Sequence, residues 1–474
     1  MPISLIRRAS AACVVSIVAM SAGVAYAQAN DPVIFSFATV GDSRTDPNKP
    51  DQTTLLANGS PTTQGGAPSL TGTILPQDNE WVQNTQALNS ILLGIQAQNP
   101  NLLFFNGDMI FGYGRPILPT AWANGKPNSW NTAQTVTPDT VFEYAQYAYW
   151  RGMIASLFLN GTYVIPVPGN HETQCSYSAA PYTSTAGSTN PNCDDTSHGN
   201  LTGKTAYADN ENMFRFNTSD LVDDLSKNIR FSNVTGYFAT NTNGLTQATA
   251  PQLSANNGNI TSDQHDLTYS FDIQAQPGLT LHFAVINTDP AGADGTAPSD
   301  WLATDFAAAK QRGAAKFFVF GHKPAFTYNY SAASGVNLAP AGLDVNVNAQ
   351  NVPVARNTFW SIITQYNATY FSGHEHTVNV ANFGDPTNTY PGTPYQVIVG
   401  SGGSPFDDKL VGTCSSTNPP GCTEPKLTNP YDRYYAWALV SVHASGKVSL
   451  QVNGFSDQFG PVQDLKIYDV ASLQ

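Results

Sequence analysis

Apolar positions along the chain fall into short runs separated by stretches of helical spacing. Residues 33–40 form a β-rich apolar run, and 102–105 and 162–167 are two more short strands. Between them, 81–98 and 138–159 carry apolar residues at helical intervals, the second with Tyr and Ala in regular repeat. Thr137 before Pro138 suits an N-cap followed by proline in the first turn. The alternation resumes with strand 281–286, helix 301–312, strand 316–320, helix 358–366, and strands 368–371 and 395–399. A hairpin over 435–442 and 447–453, turned at Ala444-Ser445-Gly446, closes the pattern. Strands alternating with helices predict an α/β fold, and the strand-rich final third predicts sheets stacked as layers.

Long polar segments interrupt these elements at 45–78, 112–136, 174–210, 241–263 and 385–428, each rich in Gly, Pro, Asn, Ser or Thr. None separates two independent cores, so they read as insertions in one domain spanning 28–474. Only 12% of the 474 residues are charged, about half the usual share. Hydrophobic residues make up 41%, which excludes a disordered chain. The net charge is −13 and no basic stripe occurs, so no nucleic-acid partner is expected.

Arg7 and Arg8, the uncharged apolar run 11–25 and the Ala25-Tyr26-Ala27 site read as a signal peptide, residues 1–27, cleaved after Ala27. The run is short for a bilayer span, so no stable membrane anchor is expected, and the mature chain would be periplasmic or secreted. Cys13 leaves with that segment. Of the three pairings open to the other four cysteines, proximity favours Cys175–Cys193 and Cys414–Cys422.

Five strand ends join a small residue to a metal-type ligand: Gly41-Asp42, Gly107-Asp108, Gly169-Asn170-His171-Glu172, Gly321-His322 and Gly373-His374-Glu375-His376. A lone Gly-Asp is turn chemistry. The five in this order are a strong signal, and four of the eight histidines fall within them. Such a set suits two-cation hydrolysis, in which the ions activate a water and clamp a phosphoryl group while a carboxylate offsets their repulsion. Neutral His and Asn ligands leave positive charge to stabilise phosphoryl oxygens. His282 and His443 lie in strand patterns and read as structural. No Gly-x-Ser-x-Gly elbow or P-loop is present.

The series GD, GD, GNHE, GH and GHxH resembles the calcineurin-like metallophosphoesterases, which include purple acid phosphatases and bacterial exported phosphoesterases. The resemblance spans nearly all of the chain after residue 33. It implies a four-layer α/β-β/α sandwich of two mixed sheets flanked by helices, with a dinuclear site at the strand ends. It also implies two divalent or trivalent transition-metal ions (Fe, Zn or Mn) and a small-molecule phosphate ester substrate attacked by a metal-bridging hydroxide. Asp42 and His376 would bind the first metal, Asp108 would bridge, and Asn170, His322 and His374 would bind the second. His171 would act on the substrate, as acid to the leaving oxygen or as phosphate binder. The chain departs from the family at Arg44, where most members carry a ligating His. Phe111 stands where purple acid phosphatases have a ligating Tyr, and Tyr113 does not match that position. A guanidinium has no lone pair to offer a metal, so Arg44 is read as facing the phosphate, as filling part of the missing ligand's space, or as structural. Glu172 could orient His171, and Lys323-Pro324 fits a loop-fixing continuation. The expected activity is a phosphomonoesterase. The alternatives are a phosphodiesterase or nucleotidase with the same site, or a non-catalytic binding protein on a decayed scaffold.

Overall fold

The computed structural model describes residues 31–44, 76–112, 138–173, 205–222, 236–240, 264, 266–290, 295–327, 342–343, 353–404, 406, 410–411, 426–427, 431, 433–468 and 472–474, the side chains of 76–83, 138–142, 205–209, 236–240, 410–411 and 426–427 excepted. The expected signal peptide, both cysteine pairs, the Thr137 cap, Tyr113 and most of the polar insertions lie outside these residues.

Strand β1 (Val33–Val40) shows how the layers arise. Successive side chains of a strand point to opposite faces. Phe35 and Phe37 enter one buried cluster, while Ala38 and Val40 enter another. After helix α1 (Pro76–Gln98), strand β2 (Leu102–Asn106) divides in the same way: Leu102 and Phe104 face the first cluster, Leu103 and Phe105 the second. Helix α2 (Pro138–Leu159) and strand β3 (Tyr163–Val167) follow, then the single turn α3 (Asn170–Thr173) and helix α4 (Thr205–Val222). Strands β4 (Gly236–Thr240), β5 (Tyr269–Gln276) and β6 (Leu279–Val285) precede helix α5 (Ser299–Gln311) and strand β7 (Ala314–Phe320). Helix α6 (Val354–Gln365) leads to β8 (Thr369–Ser372), β9 (Val378–Asn382) and β10 (Tyr395–Val399). The short β11 (Leu410–Val411) and β12 (Lys426–Leu427) pair with each other, and β13 (Tyr434–His443), β14 (Val448–Ser456) and β15 (Gln463–Asp464) complete the chain.

One sheet has the order β15-β14-β13-β1-β2-β3 and the other β4-β5-β6-β7-β8-β10-β9. Both are mixed: β1, β2 and β3 run parallel, as do β6, β7, β8 and β10, with antiparallel strands at the flanks. The sheets face each other across an aromatic core. The Phe37 ring from the first sheet meets Phe283, Phe318, Phe320 and Phe371 of the second at centroid distances of 5.0–5.7 Å. Burying each such ring contributes roughly 1.5–3 kcal/mol. Outside the first sheet, Leu88, Ile91, Trp150 and Phe214 of α1, α2 and α4 cover Val40, Phe105 and Trp437. Outside the second, Phe306 of α5 and Phe359 and Trp360 of α6 cover Phe317 and Val319. This is the four-layer α/β-β/α sandwich that the sequence resemblance implies.

The differences from expectation are local. Helix α6 starts at Val354 rather than 358, and α4 occupies part of the segment read as the loop 174–210. Its sequence is rich in Asn, Asp and Thr, which are poor helix formers, and burial of Met213, Phe214, Leu221 and Val222 stabilises it instead. Among the described residues no helix is long and apolar enough to cross a membrane.

Candidate metal centre

Backbone hydrogen bonds join several of the segments that follow these five strand ends. The Asp42 N–H donates to Gly107 O at 3.0 Å and the Gly373 N–H to His322 O at 2.9 Å. Between the two sheets, the Gly41 N–H donates to Val399 O at 2.9 Å. Gly107 is required for this packing: its φ is +79°, and a Cβ there would lie 2.5 Å from His322 Nδ1. Three of the expected ligands themselves hold left-handed backbone, Asp42 at φ 60°, Asp108 at 53° and His374 at 70°. Such conformations on residues other than glycine cost about 1 kcal/mol or more each and cluster at functional sites.

The side chains converge accordingly. Two buried groups could each hold a metal ion, Asp108 with His322 and His374, and Asp42 with Asp108 and His376. Asp108 belongs to both. Asn170, carried on α3, places Oδ1 at 2.9 Å from His322 Nε2 and 3.0 Å from His374 Nδ1. His322 Nε2 is also 3.1 Å from Asp108 Oδ1 and 3.1 Å from His374 Nδ1. On the other side, His376 Nε2 stands 3.6 Å from Asp42 Oδ1.

These donors fit a cation. His322 Nδ1 lies 2.7 Å from Asn106 O, which can only accept, so Nδ1 carries a proton and the Nε2 lone pair is left for a second proton or a metal ion. That lone pair faces the Asn170 and Asp108 oxygens, which are also acceptors. Acceptors gathered this closely need positive charge among them. A proton can supply it: burial opposes the charge on His322, but Asp108 and Asp42 outweigh burial and raise its pKa to about 10. A metal ion supplies it equally. Asp42 Oδ1 is buried and has no hydrogen-bond partner among the described residues, a second position that a cation would satisfy. Burial, then the Asp108 charge, pushes the Asp42 carboxyl well above its usual range. Asp108 is also buried, yet the His322 and Arg44 charges hold its carboxyl well below that range.

His171 stands beside the two groups and belongs to neither. Its Nδ1 meets Phe111 O, and its Nε2 lies 3.7 Å from Asp108 Oδ2. Burial first, and Arg44 second, depress its pKa, so the imidazole is neutral here. Arg44 is buried, with Nε at 3.1 Å from Asp108 Oδ2 and Nη1 donating to Ser404 Oγ at 3.4 Å. The Glu172 carboxylate is taken up by backbone N–H groups. Its Oε2 accepts from the Asp108 and Gly169 N–H groups at 2.9 and 2.8 Å, and its Oε1 from Met109 and Ile110 at 2.7 and 3.1 Å. The suggestion that Glu172 orients the imidazole therefore gives way to a different contact: it ties together the two loops that carry Asp108 and Asn170.

All eight expected site residues, Asp42, Arg44, Asp108, Asn170, His171, His322, His374 and His376, meet in this one place. Other members escaped sequence reading. Gly400–Ser404 passes beside the first motif, the Gly402 N–H donating to Gly41 O at 3.0 Å and the Ser404 N–H to Asp42 O at 2.9 Å. The Gly-Ser-Gly-Gly-Ser run straight after a strand was the available signal. Lys323 does fix its loop, through an ion pair of 2.9 Å with Asp289, at the end of the Asn287-Thr288-Asp289 run after β6. Away from the centre, His282 lies between Asp272 and Asp305 at 2.6 and 2.8 Å, and His443 meets Asp31 O and Ser449 Oγ at 2.9 and 2.8 Å, both in structural roles as expected.

No protein-family model and no curated protein matches the chain. Solved structures to which it is similar include a purple acid phosphatase, PPD1, from yellow lupin (Lupinus luteus) seeds, at 11% identity and TM-score 0.38, covering 92% of this chain and 53% of that one. A dimetal phosphatase from Danio rerio is similar at 8% identity and TM-score 0.36, covering 92% of this chain and 100% of that one. PhoD is similar at 11% identity and TM-score 0.42, covering 91% and 68%. The chain thus spans about half the length of the lupin enzyme. Likeness this distant bears on neither the chemistry nor the substrate of this chain, and its function is read from its own residues.

Proposed function

We propose that the chain is an exported, metal-dependent phosphoesterase of one catalytic domain, residues 28–474, acting preferentially on phosphate monoesters. The observation that carries this reading is the pair of buried Asp/His groups sharing Asp108. Asp108, Asn170, His322 and His374 would hold one ion, and Asp42, Asp108 and His376 the position for another. Fe, Zn and Mn all suit this mixture of imidazole, carboxylate and amide oxygen. Bound ions would supply Lewis acidity toward the phosphoryl group and activation of the attacking water.

The chain's own residues supply the rest. Arg44 is permanently charged and faces the same carboxylate, so it would draw a phosphoryl group to the centre and stabilise charge on its oxygens. Monoesters carry up to two negative charges near neutral pH and diesters one, which favours monoesters. His171 has Nδ1 tied to Phe111 O, which turns Nε2 toward the centre. An arriving phosphate dianion would oppose the burial that keeps this imidazole neutral and let Nε2 carry the proton that the leaving oxygen takes. Export is supported by the Arg7-Arg8 pair, the apolar run and the Ala25-Tyr26-Ala27 site.

The test is hydrolysis of 4-nitrophenyl phosphate, bis(4-nitrophenyl) phosphate and nucleotides by chelated protein and after Fe, Zn or Mn is returned. Metal-restored hydrolysis with the monoester ahead is expected. Preference for the diester or for nucleotides would reassign the substrate class, and no hydrolysis with any metal would refute the enzymatic reading.

A further inference from the structure

The two halves of the centre are not equivalent. The half containing Asp108, His322 and His374 also receives Asn170 Oδ1, giving it one more donor than the half containing Asp42, Asp108 and His376. The two oxygens of Asp108, the residue common to both halves, have different neighbours. Oδ1 faces His322 Nε2 at 3.1 Å, while Oδ2 faces Arg44 Nε at 3.1 Å. The poorer half therefore already has a fixed positive charge on its shared carboxylate.

That charge is built in. The Ser43 and Arg44 N–H groups both donate to Asp108 O at 3.1 Å. Asn84 Nδ2 donates to Ser43 O at 2.6 Å and to Arg44 O at 3.2 Å, and Ser404 Oγ donates to Arg44 O at 2.9 Å. Peptide and guanidinium are both buried against the strand ends, and an arginine at such a site neither deprotonates nor ligates.

We propose that Arg44 is the resident cation of the Asp42–Asp108–His376 half, so that the chain retains one transition-metal ion tightly and takes a second only weakly. This rests on the metal-centre reading above and deepens it. Arg44 competes for Asp108 Oδ2 and repels a divalent ion beside it. The second ion should accordingly bind on the order of 10²-fold more weakly than the first. A phosphate group would then be held between one metal ion and one guanidinium.

The experiment is a binding titration of the chelator-stripped full chain with Zn²⁺ or Mn²⁺, followed by elemental analysis after gel filtration. One retained ion per native chain is expected, with a second dissociation constant on the order of 10²-fold larger. Arg44→Gln removes the charge and Arg44→His adds a ligand, so both should tighten the second site, His more. Two ions held by the native chain with affinities within about tenfold would overturn the proposal while leaving the metal-centre reading intact. A folded Arg44→Gln with unchanged stoichiometry and affinities would overturn it too. Retention of no ion would instead sink the metal centre itself, and the proposal with it. The native-chain titration stands whether or not either variant folds.

Discussion

Replacing Glu172 with Gln tests how the centre is held together. The carboxylate accepts four backbone N–H groups, two per oxygen, and is buried among them. Glutamine has the same shape but one acceptor oxygen. Whichever way its amide turns, two N–H groups face an NH₂ group. Losing two bonds to a charged acceptor and stranding two buried donors costs about 3–6 kcal/mol gross. Part of this is returned, because burial and then the Asp108 charge oppose ionisation of Glu172 and raise its pKa to about 7. A net loss of about 2 kcal/mol in the metal-free protein is expected from these terms. Loosening the loops that carry Asp108 and Asn170 should also weaken metal affinity by roughly 10–100-fold, as losing an outer partner of a ligand does. Urea unfolding of the stripped protein and chelator competition for the metal read the two effects separately. A Gln variant within about 0.5 kcal/mol of the native chain in stability, with unchanged metal affinity, would refute the clamp.

Asp108→Ala, which removes the carboxylate common to both groups, should abolish metal retention on gel filtration, and full metal content would break the shared-ligand assignment. His171→Ala should keep its metal but lose on the order of 10²–10⁴ in kcat, less for nitrophenolate leaving groups than for alkoxide ones; metal loss would make His171 a ligand. His282 concerns stability. Burial opposes its charge, but Asp272 and Asp305 prevail and raise its pKa above 6.5. The folded state thus binds this proton more tightly than the unfolded chain, so the stabilisation is present below about 6.5 and is lost as pH rises through the folded pKa. Urea midpoints of stripped protein should fall over that range, and His282→Gln should flatten the slope; an unaltered slope would assign it to other groups.

What is legible in the sequence follows from adjacency along the chain. A glycine next to Asp, Asn or His at the end of an apolar run marks both the turn and the ligand, so Asp42, Asp108, Asn170, His322, His374 and His376 stand out from the order of residues alone. Phe35 and Phe37 against Ala38 and Val40 likewise betray a strand covered on both faces. What stays hidden depends on distant partners. Glu172 reaches backbone groups more than sixty residues away, and nothing local distinguishes that from a solvated carboxylate. Strand β5 carries the apolar–polar alternation of a half-buried strand, and the order of residues does not show that Ser270 and Asp272 on its polar face are covered as well. Both are buried, against Asp305 and His282. The position of Arg44 is legible and its contact is not: only the fold shows that its guanidinium lies on the carboxylate common to both halves of the centre.

Whether these residues form a metal centre can be seen by anomalous scattering from crystals equilibrated with Zn²⁺ or Mn²⁺. A strong peak is expected at coordination distance, about 2.0–2.2 Å, from Asp108 Oδ1, Asn170 Oδ1, His322 Nε2 and His374 Nδ1. A weaker peak or none is expected beside Asp42 and His376. Metal bound elsewhere with these side chains empty, or no peak at saturating metal, would contradict a metal centre here.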